Sequence, residues 1–452
     1  MDLIEEKLKD IPDRIPFGIQ MTKVNQTLPI YQGKFQLMQE ENAIEINGNL
    51  FFEWFPSPCA RFNGELTNRT ADLSSLHRAD KFELIIDGLS VGECFLTNTS
   101  ISSTVSLEGK LTTCVTGDKS INVSSINFAV PNLRYFMGAS VKVQKEQKVK
   151  LENSRVALEN EEYLIQLDKA ENYEEIKRSL DSQGGYILLY SGSIVSKKGT
   201  MSFADVRDIV HQLHFFLSFL NGRKSSPLFL QASFDHEVKW SDFTPYIVDQ
   251  YKSVVSWPIR NSIEGLDKLW LNWRTLYKDE AARDVLKSAI HWYLEANSNV
   301  GYVEGSIILT QTGLELMYNW LIVEKKKIIL GADSENLSAA NKIRLILNQL
   351  RLNPIVPSTL KNLTAFVALN KDIADGPDCF VQIRNAIVHS QQEKRKKLGK
   401  ISLNVRYEAL QLGLWYLELC ILYEMGFDGK YANRTTLQEW AGQGEQKVPW
   451  IN

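Results

Sequence analysis

From residue 15 to about 150, short apolar stretches alternate with polar ones and are punctuated by turn-forming residues. Examples are Ala43-Ile44-Glu45-Ile46 before Asn47-Gly48-Asn49, Phe82-Glu83-Leu84-Ile85-Ile86 before Asp87-Gly88, and Thr104-Val105-Ser106-Leu107 before Glu108-Gly109. Such stretches, closed by residues that tolerate the positive φ of a tight turn, predict strands joined as hairpins. Between about 155 and 255 the pattern is mixed: 173–180 reads as a helix, 186–190 as a strand and 202–220 as a helix. Ser202 is the expected N-cap of that last helix, with Asp205 standing in for the usual Glu of a capping box and Asn221-Gly222 ending it. After Trp257-Pro258 the period lengthens to that of helices, over 280–297, 303–323, 338–350, 359–374, 378–391 and 402–425. The expected fold class is a multidomain α+β protein. A β-rich region over 1–255, divisible into 1–150 and 155–255, precedes an all-α bundle over 265–430 and a C-terminal tail over 431–452.

Composition narrows the function classes. Balanced charge, 51 Lys+Arg against 54 Asp+Glu, excludes a basic nucleic-acid coat and leaves only a local patch for any nucleic-acid contact. With 44% apolar and 23% charged residues the chain is ordinary globular material. Its opening Met-Asp-Leu-Ile-Glu-Glu-Lys is acidic where an export signal needs a basic start. The longest apolar stretch, 412–423, is 12 residues and contains Glu418, short of the roughly 18 to 20 a bilayer span needs. A cytoplasmic protein with no membrane partner is expected, so the seven Asn-x-Ser/Thr triplets read as chance. Five widely spaced cysteines with no CxxC pair indicate neither a disulfide framework nor a zinc site.

P-loop, GxGxxG, HExxH and GxSxG signatures are all missing. His211 and His214 have a metal-compatible spacing but no further ligands nearby in sequence, and Asp235-His236-Glu237 reads as part of a strand. The informative segment runs from Asp375-Gly376-Pro377 to Arg384-Asn385-Ala386-Ile387-Val388-His389. Gly-Pro breaks one helix and can start another. At helical spacing Phe380, Val381, Ile383, Ile387 and Val388 form an apolar face with Arg384 near its centre, while Asn385 and His389 share the opposite face. A guanidinium placed there calls for an anionic partner, because it cannot lose its proton. Arg384 and His389 project about 140° apart on an ideal helix, so one site using both is most simply built from two copies of the helix across a two-fold axis. Downstream, residues 384–406 hold seven basic residues (Arg384, Lys394, Arg395, Lys396, Lys397, Lys400 and Arg406) against Glu393 alone, a local patch suited to a phosphate backbone.

Arg384-Asn385-Ala386-Ile387-Val388-His389 resembles the R-N-x-x-x-H motif of HEPN-domain ribonucleases, set in a helical domain near its C-terminal end as in that superfamily. The likeness covers roughly residues 270–430, and the whole layout is similar to ApeA-type anti-phage abortive-infection proteins. The resemblance implies an obligate dimer with a composite, metal-independent RNA-cleaving site and no cofactor. His389 would act as general base or acid, Arg384 would stabilise the phosphorane-like transition state, and Asn385 would orient the phosphate or the histidine. HEPN sites often add an acidic residue from an earlier helix, and Glu315 is the candidate. Lys394, Arg395, Lys396, Lys397 and Lys400 would contact RNA. The β-rich front would sense a phage-derived trigger or bind a cognate regulator, in an effector of abortive infection. The alternative is a non-catalytic dimeric binding or regulatory protein.

Overall fold

The computed structural model describes residues 10–40, 42–67, 81–145, 148–299, 301–388, 398–436 and 443–451. It is a multidomain α+β protein with a β-rich N-terminal region and a helical C-terminal region. Two compact units emerge, one comprising residues up to His214 with Ser225–Ser253, the other Phe215–Lys224 with Val254 onward.

The first unit opens with a closed antiparallel barrel. Its strands are β1 (Leu28–Gln39), β2 (Asn42–Glu53), β3 (Cys59–Leu66), β4 (Phe82–Ile86), β5 (Leu89–Ile101) and β6 (Val105–Leu111), in the order β1-β2-β3-β6-β5-β4. Alternation aims Phe35, Leu37, Ile46, Leu50, Phe52, Phe62, Leu84 and Leu107 into one core. The Asp87-Gly88 hairpin forms as expected, both residues having positive φ (50° and 80°). Two other sequence-read turns lie inside strands. Gly48 pairs with both Gly33 and Gly64, and a Cβ there would stand 2.0 Å from the Asn63 carbonyl oxygen, so this glycine serves strand approach and not a turn. Gly109 sits within β6, against the ring of Phe62.

An eight-stranded antiparallel sheet follows, ordered β7-β14-β13-β8-β12-β11-β10-β9. In chain order its strands are β7 (Val115–Gly117), β8 (Ser125–Pro131), β9 (Ala139–Lys145), β10 (Lys148–Glu159), β11 (Tyr163–Lys169), β12 (Leu188–Ser196), β13 (Leu228–Phe234) and β14 (Glu237–Asp242). Helix α1 (Tyr173–Gln183) and helix α2 (Phe203–Asn221) interrupt them. Ser202 and Asp205 form the expected reciprocal cap of α2, Asp205 N–H donating to Ser202 Oγ (3.2 Å) and Ser202 N–H to Asp205 Oδ2 (2.9 Å). Asp235 and His236 are a two-residue turn at φ 50° and 65°, which corrects their reading as strand; both residue types tolerate the left-handed region. A buried fork from Arg155 to Asp168 (3.0 and 2.6 Å) anchors the segment before β1, because Asp168 also accepts from Ile15 N–H (2.8 Å).

The second unit is built on helices. They are α3 (Leu266–Lys278), α4 (Glu280–Asn297), α5 (Tyr302–Tyr318), α6 (Ala332–Asn336), α7 (Ala339–Gln349), α8 (Lys361–Leu369), α9 (Gly376–Val388) and α10 (Leu403–Glu424). α5 runs on into a π-helical stretch, Asn319–Lys325. The run from Leu412 to Leu422 is buried on every side of α10, as a helix apolar all round must be, and α4, α5, α8 and α9 pack around it. Side-chain caps start four of these helices: Asp279 for α4, Ser338 for α7, Asp375 for α9 and Ser402 for α10. The chain beyond α10 adds the hairpin β15 (Lys430–Ala432) with β16 (Glu445–Lys447) to this unit. Arg434 there is fully buried with Glu418, which also accepts from Tyr293 Oη–H (2.6 Å). No helix among the described residues is long and apolar enough to cross a membrane.

Candidate functional site

Local chemistry fixes the start of α9. Asp375 accepts from Asp378 N–H through its side chain (2.9 Å) and from Cys379 N–H through its carbonyl (2.9 Å), capping the helix. Pro377 follows in the first turn, where a missing N–H costs nothing. The same carboxylate receives a two-pronged contact from Arg344 of α7, Nε to Oδ2 at 2.6 Å and Nη2 to Oδ1 at 2.9 Å, which ties α7 to the head of α9. Cys379, Phe380, Val381, Ile383 and Ala386 make the buried face of α9.

That face differs from the expected one. Phe380, Val381 and Ile383 are buried as expected and Cys379 and Ala386 join them, whereas Val388 is 45% exposed; Arg384, between Phe380 and Val381 around the helix, is half-buried. Cys379 and Ala386 widen the face on the side away from Arg384, and only the Val388 end of the expected face opens to solvent. This position withdraws the guanidinium from water. Its Nε is buried with no hydrogen-bond partner, and the side chain makes no ion pair among the described residues. Burial lowers the Arg384 pKa, and the charge of Glu315 on α5 opposes that effect. Glu315, singled out from the sequence, thus acts on Arg384 through its charge, from a helix that packs against α9.

Two side chains that sequence reading missed complete the surroundings. Lys342 of α7, with 13% of its side chain exposed, forms an ion pair with Glu315, and its Nζ lies 5.1 Å from the centre of the Tyr318 ring. Gln311, one turn before Glu315 on α5, has a buried Oε1 with no partner. No local spacing announces the Lys342–Glu315 pair, since the residues are 27 apart and meet only when α5, α7 and α9 pack together.

Asn385 is half-buried, and its side chain makes no hydrogen bond among the described residues. His389, Lys394, Arg395, Lys396 and Lys397 lie outside the described residues. Lys400 is exposed, while Arg406 is engaged by Glu304 of α5. His214 Nδ1 meets the Ser225 carbonyl (3.1 Å), and no group of three or more metal-ligating side chains occurs among the described residues. Chemically, the arrangement offers a forked cation with unused donors, partly desolvated, beside a carboxylate already neutralised by a lysine. Such a cation is suited to a carboxylate or phosphate ligand.

Two stretches of the chain match known domain families: residues 118–254 match the YopA central domain and residues 279–446 the YopA C-terminal domain. Over 435 residues the chain is 26% identical to the SPbeta prophage-derived uncharacterized protein YopA of Bacillus subtilis (strain 168), an alignment covering 94% of this chain and 96% of that one. No solved structure matches.

Proposed function

We propose that the helical unit is a HEPN-type domain and that the protein is a metal-independent endoribonuclease, a cytoplasmic toxin-like effector of anti-phage defence. One observation carries this reading: Arg384, within the Arg-Asn-x-x-x-His hexapeptide, holds a half-buried guanidinium with an unpartnered Nε, in the field of Glu315 from an earlier helix. A structural arginine would be paired, because an unpaired buried charge destabilises the fold. Likeness to a prophage-derived protein suits a role in conflicts involving phages.

The ribose 2′-hydroxyl attacks the adjacent phosphorus while His389 takes its proton. The P–O5′ bond breaks, and the leaving 5′-oxygen receives a proton from the imidazolium of a second copy or from water. Arg384 binds the equatorial oxygens as charge develops there, and Asn385 orients the phosphate. Because the attacking group is the substrate's own hydroxyl, the products carry 2′,3′-cyclic phosphate or 3′-phosphate ends. End-group analysis of RNA digested by the full chain tests this, with an all-DNA strand of the same sequence as control. The reading requires those ends and an intact DNA strand; 5′-phosphate ends or cleaved DNA would contradict it.

A further inference from the structure

Lys342 takes no part in the chemistry above, yet it meets Glu315, the carboxylate whose charge acts on Arg384. We infer that Lys342 keeps Arg384 open for a phosphodiester by holding Glu315 away from it. This rests on the proposed function for the identity of the ligand, but its geometry stands by itself.

Glu315 on α5 acts on two cations from helices packed against it, Lys342 on α7 and Arg384 on α9, and in the structure it pairs with Lys342. An arginine and a carboxylate form a two-pronged pair that a lysine, a point charge, cannot match. Left to itself, Glu315 would close on Arg384 and occupy the donors a phosphate needs. Lys342 is well placed to prevent this. Its stem is largely buried, and its ammonium group is confined near the face of Tyr318, so it has few other positions to adopt. Arg384 retains a buried Nε without a partner, as this division of charges requires. Taken together Arg384, Glu315 and Lys342 carry a net charge of +1, equal and opposite to one phosphodiester. Removing Lys342 makes that sum zero and frees the carboxylate to compete.

The probe is a fluorescein-labelled ten-thymidine oligodeoxynucleotide, which carries phosphodiesters but lacks the 2′-hydroxyl, so binding is read without reaction. Affinity of the full chain is measured against Arg384→Ala as the baseline, with thermal melts confirming that each variant folds. Lys342→Met should weaken the Arg384-dependent binding about tenfold, on the order of one lost charge contact. Lys342→Arg should bind within about threefold of wild type, and Glu315→Gln combined with Lys342→Met should restore binding to that same range, because the competing carboxylate is gone. Wild-type affinity in Lys342→Met, failure of the double variant to recover, or wild-type binding no tighter than Arg384→Ala would each overturn the inference. The proposed function fails separately: a wild type that binds with this pattern and does not cleave RNA refutes the nuclease and leaves the role of Lys342 standing. Cleavage of RNA that ignores Lys342 does the reverse.

Discussion

Arg384 carries a charge that the fold does not neutralise. A half-buried guanidinium with an unpartnered Nε is a local cost, and replacing it with a long apolar side chain removes that cost. Arg384→Met should therefore raise the midpoint of thermal unfolding, by about 1 kcal/mol in stability, while abolishing anion binding. A fall in stability would mean that Arg384 holds the helices together. The opposite behaviour is expected at Glu418 and Arg434, whose side chains are both 0% exposed and which bond each other, Tyr293 and Asn297. Burial raises the Tyr293 pKa, and the nearby Glu418 charge adds to this, so the phenol stays protonated and keeps donating. Glu418→Gln or Arg434→Met leaves one buried charge alone and should cost about 3 to 5 kcal/mol by urea unfolding, whereas exchanging both for apolar residues should recover much of it. Cysteine chemistry gives a third check at this scale. All five cysteines are buried, and burial pushes the thiols of Cys94 and Cys379 up to about 12. Native protein at pH 8.5 should resist maleimide, and labelling should climb with pH without levelling near 9, because the raised pKa keeps these thiols protonated until far higher pH. Rapid labelling of Cys379 would show that α9 opens locally.

Among the elements, α9 is set by its cap and by its seat on α10. Gly413 lets them approach: a Cβ at that position would stand 2.5 Å from the Phe380 ring and 2.9 Å from Thr310. Gly413→Ala should destabilise the protein by about 1 to 3 kcal/mol, and Phe380→Leu should relieve part of that when combined with it. Unfolding titrations of the two single variants and the double variant measure the coupling. Helices with a clear period and a side-chain cap were legible from the sequence: α4, α7 and α10 lie within about a residue or two of their expected bounds. α3 was not read, since it starts after the left-handed Gly265 with no side-chain cap. The expected helix over 359–374 stops at Leu369, because the following residues form the loop that delivers Asp375 as the cap of α9. Nor does a sequence period distinguish the end of α5 from the π-helical stretch after it, where the hydrogen bonding changes while the apolar run continues through residues 320–323. At the site, Arg384 and Glu315 were visible as charges among apolar neighbours. Lys342 was hidden because its meaning lies in a contact between distant helices.

For the molecule as a whole, the β-rich front offers a barrel and an eight-stranded sheet, and the proposed chemistry belongs to the helical unit. On the HEPN reading Arg384 and His389, about 140° apart on one ideal helix, are used together by pairing two chains, so the full protein should sediment as a dimer or a larger even-numbered assembly. A monomer with full activity would remove the composite site. One measurement tests the proposed nuclease site: cleavage of total RNA in EDTA by wild type, Arg384→Ala, Arg384→Lys and His389→Ala, each shown to be folded. The prediction is robust cleavage by wild type and a loss of at least about 100-fold in each of the three variants, the lysine failing because a point charge cannot replace a forked donor. Cleavage that EDTA abolishes, or that survives His389→Ala and Arg384→Ala undiminished, would contradict it.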